Sequence, residues 1–355
     1  MSGGIDSSVS AWCLKKQGYY IEGLFMKNWE ENNNEKYCTY INDLNDVKSI
    51  CNKLNIILHI INFSDEYWNN VFKFFIKGYK IGCTPNPDIL CNKEIKFKLF
   101  LKFAIKELNA DYIATGHYIR LGNYNNKFFL LRGLDKNKDQ SYFLYILNYK
   151  KLLRCLFPIG NLTKSEVRYI AMKLNLFNFN KKDSIGICFI GKRKFIKFIT
   201  SYLYQKPGII ITIKGKKIGK HKGVAYYTIG QRKGLNIGGI SNTYASPWYI
   251  INKNITKNQL IVSQNKKLIF KKFIVSDINW IEPNLIKKNL NCTVKTKYRQ
   301  LDINCNLKLT FNNQLIVKLT KPIFAIAPGQ SAVFYILERC IGGGIIKKIF
   351  LNNFF

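Results

Sequence analysis

The sequence predicts an α/β protein: an N-terminal, doubly wound parallel sheet, then a small β-rich central domain and a C-terminal β-barrel. Strand-like and helix-like runs alternate through the first half, as in a parallel sheet covered by helices. Glycines recur between short β-rich runs from residue 215 to residue 239. Short alternating strands follow from about residue 273. We therefore expect domains at 1–200, 205–270 and 273–355.

The elements of the first half follow from periodicity and end signals. The stretch from Ser7 to Gly18 has a Ser N-cap, an apolar side and a Gly stop, which predicts a helix. Residues 56–63 are a nearly continuous apolar run, which predicts a buried parallel strand. The other predicted elements are strands at 21–26 and 112–115 and helices at 44–54, 66–79 and 97–108.

The second half begins after the turn Pro207-Gly208 and has strand periodicity. Runs that alternate apolar and polar residues predict the strands of the C-terminal barrel. These strands are expected at 292–298, 305–311, 315–319 and 332–337.

Composition limits the class of protein. Fifty-six Lys and Arg residues against 21 Asp and Glu give a formal net charge of +35 in 355 residues. This excess favours an anionic partner such as nucleic acid. Codon bias in an A/T-rich genome explains the abundant Lys, Asn, Ile, Phe and Tyr equally well. Without a signal peptide or a run of about 18 apolar residues, we expect a cytoplasmic protein with no membrane partner.

Ten cysteines are scattered along the chain without a CxxC pair, and there are only three histidines. This usage fits neither a secreted disulfide framework nor a zinc site. We therefore expect no metal site formed by the protein alone. In a reducing compartment most of these thiols are expected to be buried and inert.

The stretch Ser2-Gly3-Gly4-Ile5-Asp6-Ser7-Ser8 comes directly before the first predicted helix. Glycines let backbone N–H groups approach an anion, and hydroxyls and a helix N-terminus add donors and positive potential. The stretch therefore suits phosphate or pyrophosphate. A Gly-rich turn with a Ser cap explains it equally well on physical grounds alone. The Walker pattern GxxxxGK[ST] is absent.

Two further segments carry cysteines. Thr84-Pro85-Asn86-Pro87-Asp88 is made rigid by its prolines and leads to Cys91. Asp88 and Cys91 share one face if a helix starts there, and Asp88 also suits the N-cap of a helix starting at Ile89. Cys188 lies among apolar residues between two glycines. Taken alone, both cysteines are more typical of core thiols than of catalytic ones.

Together, these segments resemble a single family in a single order. They are SGGIDS, GLFMKNW, TPNPDILCNKEIKF, ATGHY, KDQSYFL, DSIGICFIG, GQRKGL and PGQSAVFY, between residue 1 and about residue 345. They are similar to the tRNA-specific 2-thiouridylases, which are PP-loop ATP pyrophosphatases with a HUP-like N-terminal fold. The resemblance implies ATP-dependent 2-thiolation of the wobble uridine, position 34, in the tRNAs for lysine, glutamate and glutamine.

The resemblance also implies roles for matching residues. ATP phosphates would be held by Ser2, Gly3, Gly4, Asp6, Ser7 and Ser8, and the adenine would be bordered by Met26 and Gly116. Asp6 would help to position Mg²⁺. The target base would meet Asn86, Pro87 and Asp88. The tRNA would contact Lys138, Asp139, Gln140, Lys297 and Tyr298. His117 and Gln330 match positions that are important for function in the family. An alternative for His117 is a structural role as a hydrogen-bonded turn residue after Gly116.

The implied chemistry joins two thiols. Transfer of AMP from ATP to the uracil oxygen at carbon 2 makes that oxygen a good leaving group. A persulfide on Cys188 then attacks carbon 2, because its terminal sulfur is acidic and polarisable. Cys91 releases the product and leaves a transient Cys91–Cys188 disulfide. Alternatively, the persulfide first releases hydrosulfide, which attacks. Asp88 is a candidate general base, a separate protein would supply the sulfur, and a monomer is expected.

Two rival functions remain open at this stage. An ATP-dependent amidating ligase would share the phosphate loop but need no cysteine pair. A non-enzymatic RNA-binding protein would fit the charge but not release pyrophosphate. Loss of activity on changing Cys188 and tRNA-dependent pyrophosphate release distinguish these rivals from a thiolating enzyme.

Two features depart from the family pattern. Relatives carry an apolar strand before the phosphate loop, whereas here the loop follows Met1 directly. Loss of a central, buried strand would cost several kcal/mol at roughly 25 cal/mol per Å². We therefore expect that the native protein starts earlier or that the gene is degraded. An intact mass equal to 355 residues with full activity would contradict the earlier start. The second departure is Ile185, where relatives usually carry a small hydroxyl residue.

Overall fold

The computed structural model describes residues 1–30, 40–124, 127–182, 195–237, 246–264, 269–282 and 289–351. Its N-terminal part alternates helices and strands in the order α1 (Ile5–Lys16), β1 (Glu22–Lys27), α2 (Tyr40–Leu54) and β2 (Ile57–Asn62). β1 pairs in parallel with β2. Further along, the strands are β3 (Ile113–Ala114), β4 (Ile119–Tyr124), β5 (Lys127–Arg132) and β6 (Cys155–Leu156). β3 and β6 are also parallel, so the predicted α/β class is confirmed.

Two long helices contain π-helical stretches. α3 consists of Ser64–Tyr67, the π-helical Trp68–Phe72 and Lys73–Lys80. α4 consists of Pro87–Cys91, the π-helical Asn92–Phe100 and Leu101–Glu107. Such wide turns frequently occur at functional sites. The later helices are α5 (Ser141–Leu144), α6 (Tyr149–Leu152), α7 (Lys164–Lys173) and α8 (Phe195–Ile199).

All four predicted helices begin earlier in the structure, α2 at Tyr40 and α3 at Ser64, and for the other two starts the cause is local. α1 begins at Ile5 rather than at Ser7, because Gly4 occupies the N-cap and the Ser7 hydroxyl donates to its carbonyl at 3.0 Å. The helix predicted at residues 97–108 begins much earlier, at Pro87. Apolar periodicity located this helix but missed its first turns, since the π-helical stretch changes the spacing of its apolar positions.

The strand predicted at residues 56–63 is present as β2, but it is not buried. Ile57 and Ile60 are 55% and 49% exposed. In the described residues, β2 is the only strand that pairs with β1, and β6 the only one that pairs with β3. The Met1 ammonium donates to the Leu24 carbonyl, and burial lowers its pKa to about 6. The expected strand before the phosphate loop stays a prediction.

The middle part is a four-stranded sheet in the order β8–β7–β10–β9. Its strands are β7 (Gly208–Thr212), β8 (Lys217–His221), β9 (Tyr249–Asn254) and β10 (Gln259–Ser263). β7 and β10 run parallel, and the other two pairs are antiparallel. Ile210, Ile250 and Leu260 lie in its buried core.

The C-terminal part is a closed barrel. Its strands are β11 (Ile269–Trp280), β12 (Asn289–Lys295), β13 (Ile303–Leu309), β14 (Leu315–Phe324), β15 (Ser331–Ile336) and β16 (Arg339–Leu351). They pair in the order β11–β14–β13–β12–β15–β16, and β16 pairs back to β11. Pairing each strand on both sides removes the open edges of the sheet.

A hairpin from the N-terminal part joins this barrel. β4 and β5 form the hairpin, and β5 pairs with β16 through Leu131 opposite Arg339 and Leu130 opposite Cys340. Tyr335 of the barrel and Tyr142 of α5 lie in the same buried core. The two ends of the chain are therefore packed against each other over a shared apolar interface.

Charged side chains also meet across this interface, and two of them, Arg132 and Asp139, are buried. Arg132 forms ion pairs with Asp139 at 3.7 Å and with Asp302 at 2.5 Å. Lys295 lies 3.6 Å from Asp139 and 3.8 Å from Asp302. The Arg132 guanidinium also stacks 3.8 Å above the Tyr335 ring. We call Arg132, Asp139, Lys295 and Asp302 the junction cluster. None of the helices in the described ranges is long and apolar enough to span a membrane.

The junction cluster predicts a stability effect. Asp139 is only 5% exposed, and Asp139→Asn leaves the buried Arg132 and the partly buried Lys295 with one carboxylate between them. Removing one partner of a buried ion pair costs about 3–5 kcal/mol, so we expect a loss near the lower end of that range in urea denaturation. Glu338→Gln is the control, since that exposed side chain, at the turn between β15 and β16, pairs with Arg120 of the same hairpin at 3.0 Å. This surface pair is worth less than about 1 kcal/mol. Equal losses in the two variants would contradict the role of the junction cluster.

Candidate functional site

Serine hydroxyls tie the phosphate loop together. The Ser2 N–H donates to Ser7 Oγ at 3.2 Å, and the Gly4 N–H donates to Ser2 Oγ at 3.4 Å. Gly3 has φ +69°, and a Cβ there would lie 3.0 Å from the Asp43 carbonyl oxygen. Only glycine accepts this backbone and this approach without strain. The loop leads into α1, whose first N–H groups have no acceptor within the helix.

The hydroxyls of the loop differ in exposure. Ser8 is fully buried, and its Oγ donates to the Gly4 carbonyl at 3.0 Å. The buried Asn178 amide donates to the Gly3 carbonyl at 3.1 Å and to Ser8 Oγ at 3.2 Å. Ser8 therefore shapes the loop from inside, whereas Ser2 is exposed and Ser7 is partly exposed. The latter two hydroxyls are the accessible donors for a phosphate.

Asp6 accepts two hydrogen bonds at the start of α1. Its Oδ1 accepts from the Tyr118 hydroxyl at 2.6 Å and from Lys164 Nζ at 2.7 Å. Gln140 fixes the Tyr118 backbone, because its Oε1 accepts from the Tyr118 N–H at 2.9 Å and its own N–H donates back at 3.1 Å. The orientation of the Asp6 carboxylate thus depends on a residue that was predicted to contact tRNA.

Gly116 packs directly on the phosphate loop. A Cβ at this position would lie 2.7 Å from the carbonyl carbon of Asp6 and 2.8 Å from the backbone nitrogen of Ser7. Backbone cannot yield as a flexible side chain can, so any larger residue would displace the loop. Met26 pairs with Ile61 in the β1–β2 ladder and packs against the apolar core. Contact of Gly116 and Met26 with adenine stays a prediction.

The first turn of α4 carries the predicted base-contacting residues. Asn86 is the N-cap, because its Oδ1 accepts from the Asp88 N–H at 3.0 Å and from the Ile89 N–H at 3.4 Å. Pro87 takes the first helical position, which suits its fixed φ. The alternative that Asp88 is the N-cap is therefore wrong. Asp88 lies inside the first turn and Cys91 ends it, so both belong to one short helical segment.

Burial acts oppositely on the two titratable groups beside this helix. Burial raises the pKa of Asp88 above its ordinary value of 3.8, against the attraction of Lys96. Burial, with repulsion from Lys96, holds the pKa of His117 well below its usual 6.5. The His117 Nδ1 lies 2.8 Å from the Thr115 hydroxyl. At neutral pH the imidazole is therefore uncharged, and Lys96 provides positive charge near both groups.

Cys188, Ile185 and the predicted Cys91–Cys188 disulfide lie wholly or partly outside the described residues. Cys91 is buried, with 5% of its surface exposed. It lies in the apolar core with Phe198 and Ile199 of α8, the first helix after the segment that carries Cys188. On the other side of that segment, Lys181 pairs with Asp43 and Asp46 beside the phosphate loop. The meeting of the two thiols stays a prediction.

The residues predicted to contact tRNA differ in accessibility. Asp139 is buried in the junction cluster, and Gln140 is bonded to Tyr118, so both have clear structural contacts. Lys138 is partly exposed. Lys297 is exposed and Tyr298 is partly exposed, in a turn closed by Gln300, whose Oε1 accepts from the Thr296 N–H at 2.7 Å. Lys138, Lys297 and Tyr298 are therefore the most accessible of the five.

Tyr298 also connects the barrel with α4. Its ring lies 4.6 Å from that of Phe143 in α5. The Phe143 carbonyl accepts from the Asn92 side-chain amide at 3.2 Å, and Asn92 follows Cys91. The Asn92 Oδ1 is buried and has no hydrogen-bond partner in the described residues. A turn of the barrel and the cysteine helix are therefore linked through two contacts.

Sequence reasoning missed four residues of this site: Lys96, Tyr118, Lys164 and Asn178. Lys96 and Tyr118 lie within the segments TPNPDILCNKEIKF and ATGHY, so those motifs contained a usable signal. Lys164 and Asn178 lie far along the chain from the phosphate loop, and only folding brings them to Asp6 and Gly3. Across the described ranges, no three His, Cys, Asp or Glu side chains converge to hold a metal ion.

Comparison with known proteins covers nearly the whole chain. Residues 1–192 match the tRNA methyl transferase HUP domain, residues 196–264 the tRNA methyl transferase PRC-barrel domain, and residues 270–346 the aminomethyltransferase beta-barrel domain. The tRNA-specific 2-thiouridylase MnmA of Blochmanniella pennsylvanica is 57% identical over 99% of this chain and 96% of its own length. The proteins of that name from Buchnera aphidicola and Salmonella arizonae are 57% and 54% identical, each over 98% of this chain and 95% of theirs.

Full-length identity above 50% and three consecutive domain matches agree with the fold and with the motifs around the phosphate loop and Cys91. The chain therefore belongs to the tRNA-specific 2-thiouridylase family.

Proposed function

We propose that this protein uses ATP to replace the oxygen at carbon 2 of the wobble uridine with sulfur in the tRNAs for lysine, glutamate and glutamine. The observation that carries the proposal is the meeting of two parts of the site. Gly116 packs against Asp6 and Ser7 of the phosphate loop. The next residue, His117, and Asp88 both lie near the Lys96 ammonium, whose charge lowers the pKa of each. An activating phosphate and a base beside Asp88 and Cys91 would thus lie close together.

The phosphate loop is proposed to hold the phosphates of ATP. Backbone N–H groups at the start of α1 and the Ser2 and Ser7 hydroxyls would bind the β and γ phosphates, while Lys164 adds positive charge beside Asp6. Uracil O2 attacks the α phosphate, the bond to the bridging oxygen breaks, and pyrophosphate leaves. This step makes the carbon–oxygen bond at carbon 2 labile.

The residues present also fit Mg²⁺, which is proposed as a cofactor. Mg²⁺ in proteins is usually held by one or two carboxylates together with substrate phosphates and water. Asp6 provides a hard carboxylate beside the loop, with Tyr118 and Lys164 bonded to Oδ1. The bound ion would neutralise charge on the leaving pyrophosphate.

Asp88, Asn86 and Pro87 are proposed to meet the flipped-out base. Enzymes that act on a base in this way extrude it from its stack. A carboxylate with a raised pKa is a stronger base than an ordinary one, and it can accept the uracil N3 proton as the adenylated base forms. The neutral His117 would pack at the base without adding a charge.

Sulfur transfer is proposed to use both cysteines. The terminal sulfur of a Cys188 persulfide attacks carbon 2, a carbon–sulfur bond forms, and AMP leaves with the oxygen. The Cys91 thiolate then attacks Cys188 Sγ. The sulfur–sulfur bond breaks towards the base, which becomes the thiocarbonyl, and a Cys91–Cys188 disulfide remains for an external thiol to reduce. A separate sulfur donor protein would reload Cys188, and the enzyme would act as a monomer in the cytoplasm.

The tRNA is proposed to lie across both ends of the chain. Lys138, Lys297 and Tyr298 are accessible, and Lys138 and Lys297 lie close in sequence to Asp139 and Lys295, which pair across the junction cluster. Positive side chains bind the phosphate backbone, and exposed rings stack on bases. The formal charge of +35 adds long-range attraction for RNA.

Variants of the two cysteines test the chemistry. We expect the unaltered protein to release pyrophosphate when given ATP and tRNA, and to form 2-thiouridine when a sulfur donor is added. Cys91→Ser and Cys188→Ser should abolish 2-thiouridine, measured by nucleoside mass spectrometry, because each removes a sulfur that the transfer requires. Cys13→Ser is the control, since that thiol lies on α1 away from the first turn. Normal thiolation by either variant would contradict the two-thiol route, and no tRNA-dependent pyrophosphate release would contradict the enzyme.

The rate of tRNA adenylation should depend on Asp88 and on pH. As a general base Asp88 acts only when ionised, so the rate should rise with pH through its raised pKa, above 3.8. The pKa of His117 lies well below its usual 6.5, so its titration should not change the adenylation rate above that pH. Asp88→Asn should remove this rise and slow the reaction about 100-fold or more. Glu94→Gln, a control on the same helix, should keep the profile. An unchanged pH profile in Asp88→Asn would exclude this role.

A further inference from the structure

Thr84 is held by two other parts of the molecule. Its N–H donates to the Pro328 carbonyl of the barrel at 2.8 Å, and its carbonyl accepts from Gln330 Nε2 at 2.6 Å. Its hydroxyl donates to the Thr228 hydroxyl of the middle part at 3.3 Å. Thr84 is only 9% exposed, so these bonds are largely shielded from water. All of its polar groups are therefore used in contacts between parts of the chain.

The loop that binds Thr84 is itself fixed to the barrel. The Gly329 N–H donates to the Ile346 carbonyl at 2.9 Å, and the Ile346 N–H donates to the Gln330 carbonyl at 2.8 Å. Gly329 has φ +89°, and a Cβ there would lie 2.8 Å from the Thr84 nitrogen. The backbones thus approach each other as closely as glycine permits. A loop that is bonded to β16 on one side and to Thr84 on the other acts as a rigid support.

The position of Thr84 is transmitted to the base site along a stiff segment. Thr84 and Asn86 each precede a proline, which restricts their backbones to extended conformations. Pro85 packs on α3, where a Cβ at Gly78 would lie 2.8 Å from its ring. Asn86 then caps the helix that contains Asp88. With so few free torsions between them, a shift of Thr84 would move the cap and the Asp88 carboxylate.

We propose that Gln330 and Thr84 are positioning residues: through their hydrogen bond, the barrel sets the place of the Asn86–Asp88 segment against the target base. This inference rests on the proposed function of that segment. The family resemblance implies only that Gln330 is important for function, whereas the structure directs its side-chain amide to the Thr84 carbonyl. The barrel thereby contributes to the chemistry as well as to tRNA binding.

Two variants of Gln330 test the proposal. Gln330→Ala removes the side-chain amide, and Gln330→Met removes the donor while keeping the volume. Gln314→Ala is the control, because Gln314 lies at a barrel turn and, within the described part of the chain, forms hydrogen bonds only through its backbone. Hydrogen exchange of the peptide covering residues 83–92 is measured by mass spectrometry. The affinity for tRNA and the single-turnover rate at saturating ATP and tRNA are measured on the same variants.

We expect exchange in residues 83–92 to be about two- to tenfold faster in both Gln330 variants, the effect of losing one hydrogen bond. The single-turnover rate should fall by at least that factor and should not recover with more tRNA. The control should match the unaltered protein in all measurements. Unchanged exchange would overturn the proposal, and so would a rate loss that excess tRNA fully restores, because that result makes Gln330 a tRNA contact. If the unaltered protein did not act on tRNA, the proposed function would fail while exchange still tested the link from Gln330 to Thr84.

Discussion

The arrangement of the two ends of the chain depends on the buried pair of Arg132 and Asp139 and on its ion pairs with Asp302 and Lys295 of the barrel. Charges removed from water are stable only beside opposite charges held in place. Arg132 and Asp139 come from the N-terminal part, whereas Lys295 and Asp302 come from the barrel. The closest partner of the Arg132 guanidinium, at 2.5 Å, is Asp302 of the barrel, and Lys295 of the barrel lies 3.6 Å from the buried Asp139. These crossed ion pairs tie the hairpin to the barrel.

Contacts lead from the junction cluster to both halves of the site. Gln140, next to Asp139, holds the Tyr118 backbone, and the Tyr118 hydroxyl holds Asp6 of the phosphate loop. On the barrel side, the turn after Lys295 packs Tyr298 against Phe143. The Phe143 carbonyl in turn accepts a hydrogen bond from the side-chain amide of Asn92, the residue after Cys91. Residues whose motif suggests RNA contact thus also serve to align the site, and the two roles need not exclude each other.

The chemistry proposed for the site is set by burial more than by residue type. Asp88 and His117 stand near the same cation, Lys96, yet burial makes the neutral form more favourable for both. A carboxylate becomes a stronger base in this environment, and an imidazole remains uncharged. Lys96 opposes the rise in the pKa of Asp88 and adds to the fall in the pKa of His117. An anionic adenylated base would find one cation and few competing charges here.

The order of strands and helices and the family motifs were readable along the chain, because they depend on neighbours within a few residues. The phosphate loop, the helices of the N-terminal part and the barrel strands were predicted in this way. Their boundaries were less accurate where Asn86 caps a helix or a π-helical stretch changes the period. The prediction that β2 is buried was wrong, because local hydrophobicity does not show which face of a strand the tertiary structure covers.

The sequence by itself determined the elements, the glycines that permit close backbone approach, and the residue types that suit ATP and sulfur chemistry. Tertiary structure alone decided that Lys164 and Tyr118 meet Asp6, that Asp139 is buried among charges, and that Gln330 reaches Thr84. The physical reason is that these contacts join residues separated by as many as 246 positions. Their formation depends on the packing of whole domains, for which no local pattern provides a signal.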